Sequence, residues 1–393
     1  MSAINRFLLE NNLRIATNPC VSPDFCLDWP ALAAELKASK LLRVYPKSRF
    51  ETKAGAWTLV ENTQGDCAWR LEGKTDALHD GIDLGDGAQA FPATFANLLR
   101  LKNLVQEHNP AATIFATATE ELGQSTLGIG ARFTTLHWPA VDWAMSALSL
   151  GVTANQNSIP RELVYDTDVM LAGQLDSVPF PFIGTNVPEG HQGQSVEGMS
   201  HGCVLAKLKT GFHRRGIAWS FNADHQPIGG KFDNREDALV TGCVLASYIT
   251  FDLSPELAQN PQGGMTDDAA AWVKANVPAE LVEKIKARVA TVGASLADAR
   301  GRQQGTPLQL NDADFAQLLA YVWPSLQKMK RRDEKYAAAR AKLFTTEVGR
   351  AYLRELSIDE LPGLTTPETT AIMLALCEAL GMKIHFVDRK SVV

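Results

Sequence analysis

The sequence predicts an α/β protein built on a parallel β-sheet, either doubly wound or closed into a barrel. From about residue 91, short apolar runs typical of buried strands alternate with amphipathic stretches of helical spacing. Such alternation covers the faces of a parallel sheet with helices. The strand candidates are ATIFATAT (112–119), LSLGVTAN (148–155), GIAWSFNAD (216–224), SYITFDL (247–253), LRELSID (353–359) and KIHFV (383–387).

The N-terminal segment has a different sequence pattern. Residues 1–88 contain short strand-like pieces at 41–46 and 56–61, separated by Gly, Asn and Asp. They predict a small α/β attachment that precedes the sheet domain.

The sheet domain, residues 89–387, contains a helical insertion at 266–345. Two long helical patterns lie there, and each begins at a Pro or an Asn/Asp residue, which are typical of helix N-termini. We expect Pro324 to kink the second helix. The basic run KMKRRDEK (328–335) has interleaved acids and predicts a solvated helix face.

Composition excludes several classes of protein. Of 393 residues, 45% are hydrophobic and 21% charged, as expected of a packed globule. The net charge of −6 argues against a nucleic-acid partner. The chain has no long apolar run, its start lacks the pattern of a secretory signal, and its six cysteines form no CxxC pair. We therefore expect a cytoplasmic protein with reduced thiols and no membrane partner.

The sequence also lacks the motifs of several enzyme classes. It has no GxxxxGK[ST] loop, and GIG at 128–130 lacks the rest of a dinucleotide fingerprint. It has no GxSxG elbow and no HExxH helix. These absences argue against P-loop, NAD-dependent, α/β-hydrolase and zincin chemistry.

Polar residues at predicted strand ends are the main candidates for chemistry. Asp224 and His225 end one strand, where ligands collect in parallel α/β folds, although a surface histidine beside a loop aspartate remains the alternative. Glu355 lies within another strand pattern, and a buried carboxylate there needs a partner or a metal. Asp359 fits a loop cap better. Gln156 belongs to a run of polar residues suited to binding hydroxyl groups or to forming a turn.

Several longer segments together resemble one known family. The most specific is WSFNADHQPIGGKFDNREDALVTGCVLASYITFDLSPEL, with an Ala-Asp-His strand end followed by a helix and a Thr-Phe-Asp strand. YPKSRFETKAGAWTLVE, GIGARFTTLHWPAVDWAM, VTANQNSIPREL and LRELSIDELPGLTTPE match in the same order. Together they resemble the tagaturonate (tagaturonate/fructuronate) epimerase family of metal-dependent TIM-barrel enzymes. The resemblance implies a (β/α)8 TIM-like barrel.

The resemblance also implies roles for individual residues. Asp224 corresponds to the proton acceptor, Glu355 to the proton donor and His225 to a ligand of a divalent metal cation. We expect Arg132 and Gln156 to bind substrate.

The resemblance stops near the C-terminus. The family continues with a segment containing His-Ser-Gly-Ser-Asp-Lys, which supplies another metal ligand, and the printed sequence ends before it. Residues 388–393, DRKSVV, do not follow the family pattern. We therefore expect a barrel that is incomplete at its C-terminus, with a non-native tail at 388–393.

The implied reaction interconverts D-tagaturonate and D-fructuronate at C4. The C4 proton is not adjacent to a carbonyl, so reversible C3–C4 cleavage by a base and a metal is the route that fits these residues. The expected partner is therefore a small-molecule sugar acid. The alternatives are a metal-dependent aldolase or ketose isomerase on the same barrel, and an inactive truncated fragment.

Overall fold

The computed structural model describes residues 27–40, 42–118, 126–131, 134–156, 196–259, 268–295, 310–359 and 365–389. The strands of this part are β1 (Arg43–Thr52), β2 (Gly55–Glu61), β3 (Cys67–Gly73), β4 (Ile82–Gly85), β5 (Ala88–Pro92), β6 (Thr126–Ala131), β7 (Gly151–Gln156), β8 (Trp219–Pro227), β9 (Tyr248–Asp252), β10 (Leu353–Ile358) and β11 (Phe386–Arg389).

The α-helices of the same ranges are α1 (Trp29–Lys37), α2 (Phe95–His108), α3 (Thr134–Leu148), α4 (Val196–Thr210), α5 (Glu236–Gly242), α6 (Ser254–Gln259), α7 (Ala269–Asn276), α8 (Ala279–Ser295), α9 (Asp312–Leu343), α10 (Glu347–Arg350) and α11 (Pro367–Ala379). Short 3-10 helices occupy Phe212–Arg215 and Gly230–Arg235. None of these helices has the length and apolar content needed to cross a membrane.

The first sheet is antiparallel, with strand order β1-β2-β3-β5-β4. Its core is aromatic: Trp57 and Trp69 are completely buried, and the rings of Trp57 and Phe91 lie 5.9 Å apart. Gly55 pairs with Gly73 in the β2–β3 register. A Cβ on Gly55 would lie 2.1 Å from a backbone carbonyl oxygen, so only glycine fits.

The second sheet has six strands in the order β11-β10-β9-β8-β7-β6. The registers of β6 with β7, β7 with β8 and β10 with β11 are all parallel. Parallel pairing follows from the helices that return the chain between strands, such as α3 between β6 and β7.

The predicted (β/α)8 TIM-like barrel is wrong. In the part of the chain that the structure describes, β6 and β11 are the edges of an open six-stranded sheet, whereas a closed barrel of this class needs roughly eight strands. One predicted strand also fails, because residues 112–118 are irregular. This run is buried beside β8, where Thr117 N donates to the carbonyl of Trp219 at 2.9 Å. Burial alone therefore produced its strand-like pattern.

The described helices of 266–345 agree with the predicted helical patterns. α8 and α9 are both long, and α9 continues through Pro324. α8 packs against α11.

The chain divides into two compact units. Unit 1 comprises Met1–Asp224, Asp237–Tyr248 and Ala337–Tyr352. Unit 2 comprises His225–Glu236, Ile249–Tyr336 and Leu353–Val393.

Unit 1 buries an ion pair between α3 and α4. The Lys207 ammonium donates to Oδ1 of Asp142 at 2.7 Å, and both side chains are fully buried. The same ammonium lies 4.2 Å from the ring centroid of Trp219 and 4.6 Å from that of Trp138. Burial raises the pKa of Asp142, and the charge of Lys207 offsets only part of this rise.

Unit 2 uses ion pairs to hold the segment that follows β8. On α9, the Lys328 ammonium lies 2.6 Å from Asp233 and 2.8 Å from Glu256. One turn further, Nε of Arg332 donates to Glu236 at 3.1 Å. The side chain of Arg332 is only 3% exposed, so the predicted solvated face of this basic run is wrong at that residue. These contacts anchor the chain after the end of β8.

Candidate functional site

The end of β8 leaves regular strand geometry at His225. This residue has a φ of +43°, which non-glycine residues adopt at a cost and which is concentrated at functional sites. Two residues later the strand ends, and Ile228 N donates to the carbonyl of Asp252 at 2.9 Å. The ends of β8 and β9 are thereby tied together within unit 2.

Three aspartates lie near the His225 ring. Its Nδ1 is 3.8 Å from Oδ2 of Asp252 and 4.0 Å from Oδ1 of Asp359. One ligand atom from each of His225, Asp359 and Asp388 lies within 4.8 Å of the other two. We call His225, Asp252, Asp359 and Asp388 the acidic cluster.

The geometry of parallel strands explains why these residues meet. Glu355, Ser357 and Asp359 alternate along β10 and just beyond it, so they face one side of the sheet. Ser357 Oγ donates to Oδ1 of Asp359 at 2.8 Å, and Ser357 pairs with Asp388 in the β10–β11 register. Thr250 on β9 donates to Oε2 of Glu355 at 2.5 Å, so the polar face extends across both strands.

Like charges repel one another within the acidic cluster. Burial and then the charge of Asp359 raise the pKa of Asp388, and the charge of His225 offsets part of this rise. Asp252 is better satisfied, because its Oδ1 accepts a hydrogen bond from Ser254 N at 2.9 Å. A bound cation would relieve the repulsion between Asp359 and Asp388.

The structure places the site residues expected from the sequence in different parts of the described chain, and it leaves one of them undescribed. His225 lies in the acidic cluster. Glu355 is half-buried on β10 and accepts a hydrogen bond from Thr250. Asp224 directly precedes His225 in β8, but it belongs to unit 1, whereas His225 belongs to unit 2. Gln156 ends β7, and the structure describes its backbone only. Arg132 lies outside the described residues.

Sequence reasoning missed three members of the cluster. Asp252 lies at the end of a predicted strand, as Asp224 does, so the same reasoning could have identified it. Asp359 was expected to be a loop cap, yet the cap of the next helix is Thr366, whose hydroxyl accepts from Thr369 N. Asp388 opens the segment predicted as a non-native tail, and that origin stays a prediction.

His385 has a structural role at the edge of the same sheet. Its Nδ1 accepts from Arg354 N at 3.1 Å, and its own N–H donates to the carbonyl of Arg354 at 2.9 Å. These two bonds hold the start of β11 against β10.

Comparisons with known proteins give a fold relationship. No family model and no curated protein matches the sequence. The chain is similar to the two-glycerol complex of fructuronate-tagaturonate epimerase UxaE from Cohnella laeviribosi, with 16% identity and a TM-score of 0.51. The native crystal structure of the same enzyme gives 17% identity and a TM-score of 0.49. Each match covers 92% of this chain and 62% of the other, so this chain spans less than two thirds of the length of the enzyme it resembles.

Proposed function

We propose that this protein is a metal-dependent sugar-acid epimerase that interconverts D-tagaturonate and D-fructuronate at C4. The observation that carries the proposal is the acidic cluster, a histidine and three aspartates at the ends of neighbouring strands. The fold shared with fructuronate-tagaturonate epimerase UxaE supports the choice of reaction.

The residues of the cluster fit a divalent cation. Imidazole nitrogen and carboxylate oxygen are common ligands of first-row divalent metals. His225, Asp359 and Asp388 offer one such atom each within 4.8 Å, and the Ser357 hydroxyl orients Asp359. Partners that orient a ligand in this way raise metal affinity. We therefore assign His225 and Asp359 as ligands, with Asp388 as the third.

The remaining polar residues supply proton transfer. Asp224 takes the proton of the C4 hydroxyl, which breaks the C3–C4 bond and leaves an aldehyde at C4 and an enediolate at C2–C3. The enediolate attacks the other face of the aldehyde, and Glu355 returns a proton to the inverted C4 oxygen. A bound divalent cation supplies Lewis-acid polarisation of the substrate carbonyl.

Product analysis of the metal-loaded chain tests the function. We expect the purified protein, incubated with Mn²⁺ and tagaturonate, to form fructuronate. Smaller fragments would indicate an aldolase, and no product from protein with bound metal would contradict the proposal and favour an inactive chain. His225→Ala should lose metal and turnover together, whereas His79→Ala, an exposed histidine of unit 1, should keep both.

Asp388→Asn should weaken Mn²⁺ binding yet stabilise the metal-free protein. The neutral amide removes a ligand, at a cost of about 10-fold or more in affinity. It also removes repulsion with Asp359, with an expected gain of up to about 0.5 kcal/mol in the free energy of unfolding. Calorimetric titration and thermal unfolding in EDTA measure the two effects. The exposed Asp76→Asn should change neither, and unchanged affinity in Asp388→Asn would remove this residue from the ligand set.

A further inference from the structure

A fully buried hydroxyl contacts the carboxyl group to which we assign proton return. Thr250 has 0% exposure in the middle of β9, and its Oγ1 donates to Oε2 of Glu355 on β10 at 2.5 Å. A hydrogen bond in such surroundings is stronger than one in water.

This bond distinguishes the two oxygens of the carboxyl group. An oxygen that accepts from a hydroxyl is held as an acceptor, so the proton that Glu355 gives up is carried on Oε1. The bond also fixes rotation about the last torsion of the side chain, which is otherwise broad. Proton transfer needs the carried proton within hydrogen-bond reach of the substrate oxygen.

We propose that Thr250 is a positioning residue for Glu355, which selects Oε1 as the oxygen that returns the proton to the C4 oxygen of the sugar acid. The inference rests on the proposed epimerase function. Its evidence is the geometry of Thr250 and Glu355, which does not depend on the cation.

Thr250→Val and Thr250→Ser test the role in the metal-loaded full chain. Valine keeps the shape of threonine and lacks the hydroxyl, whereas serine keeps the hydroxyl. For valine we expect kcat to fall about 10- to 100-fold, because the hydroxyl no longer stabilises the carboxylate that forms as Glu355 gives up its proton, with KM changed less than about twofold. Serine should restore kcat to within about threefold of wild type, and Mn²⁺ content should be the same in all three proteins.

Infrared spectroscopy tests the hydrogen bond without relying on turnover. The carboxyl stretch of Glu355 is identified by its loss in Glu355→Gln. It should shift in Thr250→Val and return in Thr250→Ser. A Glu355 carboxyl band that does not shift in Thr250→Val would overturn the inference. Wild-type kcat in Thr250→Val would also overturn it, provided that Glu355→Gln is inactive. Failure of the wild-type chain to form fructuronate would instead contradict the proposed function.

Discussion

Asp224→Asn is expected to lower kcat for C4 epimerisation by about 10²- to 10⁴-fold, the usual contribution of a general base. Asparagine has nearly the same shape as aspartate but does not accept the C4 hydroxyl proton at neutral pH. The neighbouring His225 is unchanged, so Mn²⁺ binding should persist. Steady-state kinetics with tagaturonate and calorimetric titration with Mn²⁺ measure the two quantities.

A second aspartate provides the matched control for Asp224. Asp237 is exposed on α5, and Asp237→Asn makes the same chemical change outside the proposed catalytic residues. It should leave kcat and Mn²⁺ affinity at wild-type values. Wild-type turnover in Asp224→Asn would remove the assignment of Asp224 as the base.

Asp142→Ala is expected to lower the free energy of unfolding by about 3–5 kcal/mol, the usual cost of leaving one partner of a buried ion pair without the other. Lys207 would keep its contacts with the rings of Trp138 and Trp219 but lose the carboxylate that neutralises it. Such a loss is a large fraction of the stability of an ordinary domain. Chemical denaturation followed by circular dichroism measures it.

Two further variants separate the charge effect from simple truncation. Asp312→Ala breaks the exposed Lys286–Asp312 pair and should cost less than about 1 kcal/mol. The double variant Asp142→Leu with Lys207→Met replaces the buried charges by apolar groups and should recover most of the loss. An Asp142→Ala variant no less stable than Asp312→Ala would show that the buried pair does not stabilise unit 1.

Local pattern was sufficient to locate most strands of the parallel sheet. β7, β8, β9, β10 and β11 all overlap runs that the sequence identified, because a buried strand needs apolar residues over a short and regular span. The run at 112–119 shows the limit of this reasoning. In the described part of this run, residues 113–117 are buried beside β8 without forming a strand, so burial does not require strand geometry.

The expectation that functional residues lie at the ends of parallel strands located only part of the candidate site. It selected Asp224 and His225 as candidates, Glu355 was selected as a carboxylate inside a strand pattern, and the family resemblance suggested the roles of all three. It gave no weight to Asp359 or Asp388, because a polar residue after a strand is usually a cap or a turn residue. Their proximity to His225 depends on the register of β10 with β11.

The amino-acid pattern thus predicted a parallel sheet with helices between its strands, the positions of β7 to β11, and which of these strands end in polar residues. It did not establish that the described sheet stays open at six strands, nor that His225 lies beside three aspartates. The physical reason is that helical and strand periodicity reflect interactions over a few neighbouring residues. Sheet closure and side-chain clusters instead depend on contacts between residues far apart in the chain.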